Sequence, residues 1–154
     1  MAILHIVTKK ENEEFLRKKS REVTEITPRI LTLLDDMVQT MRKANGCGLA
    51  AVQVGILRRI VVIETEEGLF EFINPKIIAM SGEQEGEEGC LSVPGEWGIT
   101  KRPQHVTVRA LNRNGEVFEV TGHDLLAKAM CHELDHLDGI IYTDKVIKKL
   151  EDDK

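Results

Sequence analysis

The 154-residue sequence has few aromatic residues, no excess of basic residues and no long apolar run. Phe, Trp and Tyr together make up only 4% of the chain, so the core must be aliphatic. The 21 Lys and Arg residues face 26 Asp and Glu residues, which argues against nucleic-acid binding because that function needs a basic face. No segment approaches the roughly 18 apolar residues of a membrane span. We therefore expect neither direct nucleic-acid specificity nor a membrane partner.

The sequence also lacks the cysteine framework of small secreted domains. Its three cysteines, Cys47, Cys90 and Cys131, are an odd number, and a metal ligand or reactive thiol suits at least one of them better than a disulfide. The N-terminal apolar stretch is about five residues long, shorter than the roughly 7–15 of a signal peptide. We expect an unprocessed cytoplasmic protein whose length suits a single domain over residues 1–154.

Apolar spacing predicts an α+β fold. An amphipathic helix over residues 28–45 has Thr27 as its N-cap and Pro28 at its first position. A second helix runs from Asp124 to Leu137 and stops at Gly139. Short β-branched runs between turn residues favour antiparallel strands, packed around this second, central helix. The predicted strands are 59–64, 69–73, 77–80, 106–110 and 117–120, and shorter helices are predicted at about 12–20 and 145–151.

The most informative residues lie in the second helix, where the sequence reads H-E-x-x-H. His132 and His136 are four positions apart on one helical face, so their imidazoles can bind one transition metal. Glu133 can reach a water molecule there without being a ligand. A shuffled chain of this composition gives the motif roughly 2 times in 100, so the motif alone is suggestive only.

A catalytic site of this kind needs three protein ligands and one open position. No histidine follows His136, and Cys90, in the turn-like segment E-G-C-L-S of residues 88–92, is the best upstream candidate. A buried apolar role is the alternative for Cys90. Cys131 points about 140° away from His136 around the helix, which favours a small buried hydrophobe.

A glycine-rich segment, residues 45–55, supplies a third feature. Gly46 and Gly48 let the backbone approach a ligand closely, or form a helix cap and turn. The segment follows a helix, unlike a dinucleotide fingerprint. Gln53 offers an amide N–H that can stabilise an oxyanion. Cys47 could instead be a packed apolar side chain.

These three segments together resemble the peptide deformylase family. Residues 46–53 (G-C-G-L-A-A-V-Q), 88–92 (E-G-C-L-S) and 132–136 (H-E-L-D-H) match its motifs in order and at comparable separations, and the resemblance runs from residue 3 to residue 139. It implies a single catalytic domain that removes the N-formyl group from N-formylmethionine at the start of newly made proteins, releasing formate. It implies one divalent metal per chain, Fe²⁺ in the cell, with Zn²⁺, Ni²⁺ or Co²⁺ accepted in a purified sample.

The resemblance also assigns roles to individual residues. Glu133 is the general acid and base, and Gln53 with the backbone N–H of Leu91 stabilises the oxyanion. The Gly48 backbone would hold the peptide as an added strand. The implied metal ligands are Cys90, His132 and His136, and the residues implied to line the methionine pocket are Leu125, Ala129, Cys47 and Leu91.

Several points stay open at this level. For Lys128 there are two alternatives: it lines the pocket, or it points to solvent. For Arg102 and Asp135 the alternatives are a supporting ion pair and two separately solvated charges. Partners are expected to be a formyl-Met peptide and, transiently, the ribosome, although the chain has no long basic C-terminal helix. We expect a monomer in a bacterial cytoplasm. The alternatives are another mononuclear metallohydrolase, such as a peptidase, and a closed structural metal site.

Overall fold

The computed structural model describes residues 2–150. Within that range the chain forms three α-helices, two short 3₁₀ turns and eight strands. The α-helices are α1 (Lys9–Leu16), α2 (Pro28–Lys43) and α3 (Asp124–Leu137). The strands are β1 (Gly48–Ala50), β2 (Ile60–Thr65), β3 (Gly68–Ser81), β4 (Gln84–Cys90), β5 (Val93–Arg102), β6 (His105–Leu111), β7 (Val117–His123) and β8 (Val146–Leu150).

The strands form two sheets with antiparallel pairing throughout. A five-stranded sheet has the order β1-β2-β3-β6-β7, and a three-stranded sheet has the order β4-β5-β8. This arrangement confirms the α+β prediction, and the five predicted strands coincide with β2, β3, β6 and β7, the first of them beginning one residue before β2. The sequence analysis missed β4 and β5, because their glycines and charged residues carry little strand signal, and it missed β1, which is only three residues long.

The core explains why β2 begins with an uninterrupted apolar run. Val61 and Ile63 pack with the apolar residues of α3, including Met130. Ile60 and Val62 point the other way and pack with those of α2, including Met37. Because successive side chains alternate across a strand, one strand supplies both layers of the core. The central helix α3 and the amphipathic helix α2 therefore cover opposite faces of this sheet.

The helix ends follow their capping residues. The Thr27 hydroxyl accepts a hydrogen bond from the backbone N–H of Ile30, which confirms the predicted start of α2. The first helix begins earlier than predicted, at Lys9, because Thr8 and Glu11 form a reciprocal capping box. Within residues 2–150, no helix is long and apolar enough to cross a membrane.

The C-terminal segment corrects one prediction. The helix expected at about 145–151 is wrong, because Val146–Leu150 forms β8 and pairs with β5. Such a short helix gains little, whereas the open edge of β5 offers backbone hydrogen bonds. Val146 also packs closely over Gly98, where a Cβ atom would lie 2.7 Å from a methyl carbon of the valine. Residue 151 lies outside the described residues.

Gly139 ends α3 in a left-handed conformation, with φ of +76°. A Cβ atom at this position would lie 2.1 Å from the carbonyl oxygen of Arg17, whereas one at Gly55, with φ of +85°, would meet nothing within 4 Å. We expect Gly55→Ala to lower the free energy of unfolding by about 1–2 kcal/mol from backbone strain. Gly139→Ala should cost at least twice as much, because a backbone clash adds to the same strain. Urea unfolding of both variants measures this, and equal losses would contradict it.

Candidate metal centre

Three predicted ligands meet at one point between β4 and α3. Cys90 ends β4, and His132 and His136 lie on α3, with one donor atom from each residue within 4.8 Å of the other two. The Cys90 Sγ lies 3.3 Å from the His136 Nε2. Both imidazoles are buried. A thiol and two imidazoles suit a transition metal, whereas Mg²⁺ and Ca²⁺ prefer oxygen donors, so this donor set fits one ion such as Fe²⁺ or Zn²⁺.

The Glu88 carboxylate orients the first of these imidazoles. Glu88 Oε1 accepts hydrogen bonds from His132 Nδ1 at 2.8 Å and from Arg102 Nη2 at 3.0 Å, while Oε2 accepts from Arg102 Nε at 2.7 Å and from the Thr100 hydroxyl. This bonding leaves His132 Nε2 as the nitrogen available to a metal. Burial raises the pKa of Glu88, but the hydrogen bonds from His132 and Arg102 outweigh it and hold the pKa well below its ordinary value.

Arg102 extends this contact back to α3. Its Nη1 donates to Asp135 Oδ2 at 2.8 Å, which confirms the ion pair that the sequence left open. The Arg102 and Glu88 side chains are each only 3% exposed. Sequence reasoning assigned no role to Glu88, although Glu88 stands in the E-G-C-L-S segment. Its position two residues before the cysteine was the available signal.

Glu133 lies beside the three ligands with little hydrogen bonding of its own. It is buried, and its Oε1 has no hydrogen-bond partner within residues 2–150. Its Oε2 lies 3.9 Å from His132 Nε2. Burial raises the pKa of Glu133 to about 7, against the opposing effect of His132. A carboxylate with this pKa can exchange a proton near neutral pH.

Gln53 approaches the centre from the 3₁₀ turn that follows β1. Its Oε1 accepts from the backbone N–H of Ala50 at 3.0 Å, which fixes the direction of the amide. Its Nε2 donates to the Ser92 hydroxyl at 3.0 Å and lies 3.6 Å from the Cys90 Sγ. The sequence did not single out Ser92, whose backbone N–H also donates to the Cys90 Sγ at 3.4 Å.

A cavity of about 750 Å³ opens onto this centre. Its walls include Glu133, Gln53, Cys90 and His132, so the catalytic and metal-ligating candidates share one space with the pocket candidates. The structure therefore brings the predicted site residues together, with His136 buried behind the cavity wall. The predicted pocket residues that line the cavity are Cys47, Gly48, Leu91, Leu125 and Ala129.

The structure also shows where the side chains of Cys131 and Lys128 lie. Cys131 is a residue of α3 whose side chain is buried in the core, and burial raises the pKa of its thiol to about 11, in keeping with a small core residue. Lys128 lines the cavity, and its Nζ donates to the carbonyl oxygen of Glu87 at 2.7 Å. Lys128 is therefore a residue of the pocket.

A Cys/His/His centre beside a buried carboxylate, on the wall of a cavity of about 750 Å³, is typical of a metal-dependent hydrolase. The family model described as polypeptide deformylase matches residues 3–152. The chain belongs to this metal-dependent family.

Individual relatives agree over nearly the whole chain. A peptide deformylase from Caldanaerobacter subterraneus subsp. tengcongensis is 56% identical over 98% of this chain and 94% of its own length. A crystal structure of a peptide deformylase from Legionella pneumophila has a TM-score of 0.89 at 41% identity, covering 94% of this chain and 86% of that one. A deformylase from Ehrlichia chaffeensis in complex with actinonin has a TM-score of 0.90 at 38% identity, covering 95% and 90%.

We expect Arg102→Met to lower the free energy of unfolding by roughly 3–5 kcal/mol, because it leaves the Glu88 charge buried without its main partner. Arg109→Met is the control. It breaks an exposed pair with Glu119, in which Nη2 and Oε2 are 2.8 Å apart, and should cost less than about 1 kcal/mol. Urea unfolding compares the two variants, and similar losses would contradict the role given to the buried pair.

Proposed function

We propose that the chain removes the N-formyl group from N-formylmethionine at the start of newly made proteins and releases formate. The observation that carries this proposal is the buried Glu133 carboxylate beside three convergent metal donors, on the wall of a cavity of about 750 Å³. Family membership and relatives named peptide deformylase support the same reaction. No feature of the site favours the alternative of a general peptidase.

We propose Cys90, His132 and His136 as the ligands of one divalent metal, Fe²⁺ in the cell, with Zn²⁺, Ni²⁺ or Co²⁺ taking its place in purified protein. Their burial and their soft and imidazole donors support this assignment. A divalent metal bound there supplies Lewis-acid assistance, making water more acidic and polarising a carbonyl. The donor set alone does not select among these metals.

Glu133 is proposed to move the proton. Its carboxylate takes a proton from the attacking water as the water oxygen bonds to the formyl carbon. As the C–N bond breaks, Glu133 passes that proton to the leaving amine nitrogen. Within residues 2–150 the Oε1 of Glu133 has no hydrogen-bond partner, and the raised pKa of this carboxyl favours accepting and releasing a proton near neutral pH, which supports both transfers.

Gln53 and the backbone N–H of Leu91 are proposed to bind the oxygen that becomes negative during the attack. The Ala50 N–H holds the Gln53 carbonyl, so the Nε2 end faces the centre before substrate arrives. Such a fixed donor is typically worth about 3–4 kcal/mol in the transition state. The Ser92 hydroxyl accepts one N–H of this amide, and the other points at the Cys90 Sγ, which places it beside the metal donors, where a substrate oxygen can accept it instead.

The remaining cavity residues are proposed to bind the peptide. Leu125, Ala129, Cys47 and Leu91 offer an apolar pocket for the methionine side chain. Gly48 lies on β1, which is an edge strand among the described residues 2–150 and pairs there with β2, so its other side can accept an added strand. A formyl group has no side chain, so the space around its carbonyl can be narrow.

We also propose a single catalytic domain over residues 1–154, acting as a monomer in the cytoplasm of a bacterium. Near full-length similarity to bacterial deformylases supports the domain and the setting. We further propose a transient contact with the ribosome. No basic C-terminal helix is available for it within the described residues, because residues 146–150 form a strand.

The test is formate release from a short formyl-Met peptide, with protein purified without oxygen and loaded with Fe²⁺, Ni²⁺ or Zn²⁺. We expect Glu133→Ala to keep one metal per chain and to lose about 10²–10⁴-fold in kcat, because it removes proton transfer and no ligand. Glu85→Ala, on an exposed position of β4, is the control and should keep its activity. No release by metal-loaded wild-type protein would refute the proposed function.

A further inference from the structure

Lys128 is a cavity residue that the proposed reaction does not use. It is the single lysine or arginine among the described residues that line the cavity. On α3 it follows Leu125 by three positions and precedes His132 by four, so the three side chains share one helical face. Lys128 therefore stands between the metal centre and the outer end of the proposed methionine pocket.

The ammonium of Lys128 is held against the opposite wall. Its Nζ donates to the Glu87 carbonyl oxygen of β4 at 2.7 Å. The neighbouring Gly86 belongs to the less exposed face of β4, and a Cβ atom there would lie 3.6 Å from the Nζ. Because Gly86 has no side chain, the ammonium fills space above it. A lysine extended into solvent would make no such contact with the facing strand.

The predicted pocket residues that line the cavity together with Lys128 are weakly polar or apolar. They are Leu125 and Ala129 of α3, with Leu91 and Cys47. An ammonium carries three N–H donors, and within residues 2–150 the bond to Glu87 is the one hydrogen bond that Lys128 Nζ makes. Two donors are thus available to an occupant of the pocket.

Side chains that fit this pocket differ in what they offer to those donors. A hydrocarbon chain offers nothing, and the thioether of methionine is a weak acceptor. A sulfoxide oxygen, formed when methionine is oxidised, is polar and accepts hydrogen bonds well. A hydrogen bond from an ammonium to this oxygen is stronger than one from a neutral donor, because hydrogen bonds that involve a charged group are stronger than those between neutral groups.

We propose that Lys128 is a specificity-determining residue that gives the pocket a cationic end. Formylated peptides whose first side chain ends in a hydrogen-bond acceptor, methionine sulfoxide above all, are then accepted better than those with a hydrocarbon chain of similar length. This inference rests on the proposed deformylation, because it concerns the side chain that enters the pocket during that reaction.

The experiment measures kcat/KM for formate release from three otherwise identical peptides that begin with formyl-methionine, formyl-methionine sulfoxide or formyl-norleucine. The quantity compared is the ratio of kcat/KM for the sulfoxide to that for norleucine. We expect this ratio to exceed one in the wild-type protein, Lys128→Met to lower it about tenfold or more, and Lys128→Arg to keep most of it. A wild-type ratio below one would overturn the inference. Lys148→Met, on exposed β8, is the matched control and should leave the ratio as in wild type.

The ratio separates recognition from a structural role. If Lys128 only stabilises the shape of the cavity, Lys128→Met lowers kcat/KM for all three peptides by the same factor. The ratio of sulfoxide to norleucine then stays unchanged, and this result overturns the inference. Formyl-methionine turnover by the wild-type protein would still stand in that case. No turnover of any peptide by metal-loaded wild-type protein would instead overturn the proposed function, and the inference with it.

Discussion

The buried carboxylate of Glu88 is the contact on which the site depends. It joins β4 to Arg102 of β5 and to His132 of α3, so one side chain ties the smaller sheet to the central helix. Burying such a charge is expensive unless every lone pair is used, and here hydrogen bonds reach both oxygens. Residues of β4, β5 and α3 also line the cavity, so the hydrogen bonds of Glu88 help to fix the shape of the cavity.

The same carboxylate connects stability with chemistry. Its bond to His132 Nδ1 fixes which imidazole nitrogen faces the metal donors, and a carboxylate at that position also makes the imidazole a stronger ligand. Glu133 follows His132 on α3, and its Oε1 has no hydrogen-bond partner within residues 2–150. The Gly48 backbone lies close to this carboxylate, since a Cβ atom there would lie 2.5 Å from Glu133 Oε2. Of the two buried carboxylates, Glu88 therefore accepts hydrogen bonds at both oxygens, whereas Glu133 keeps one oxygen without a partner among the described residues.

The sequence predicted well those features that depend on local spacing. The i, i+4 histidines and the N-cap of α2 follow from helical spacing and capping preferences, and both are found as expected. The end of α2 was placed two residues too late, since the helix stops at Lys43 and Asn45 takes the left-handed conformation. The strand β8 was predicted to be a helix. Its pairing with β5 is a long-range contact, and the local sequence pattern of a short polar segment does not indicate such a contact. The partners of Glu88 were missed for the same reason, since Arg102 and His132 lie 14 and 44 positions away. The orientation of Lys128 was open for the same reason, since its hydrogen-bond acceptor is the carbonyl oxygen of Glu87, 41 positions away in another strand.

We propose that Cys90, His132 and His136 hold one metal ion while Glu133 remains outside the ligand set, and X-ray absorption spectroscopy of the zinc-loaded protein can measure this. We expect one sulfur at about 2.3 Å and two imidazole nitrogens at about 2.0–2.1 Å, with the remaining position held by a light atom. Glu133→Gln should leave this spectrum unchanged. A shell without sulfur, or one that loses an oxygen ligand in Glu133→Gln, would show that the proposed ligand set is wrong.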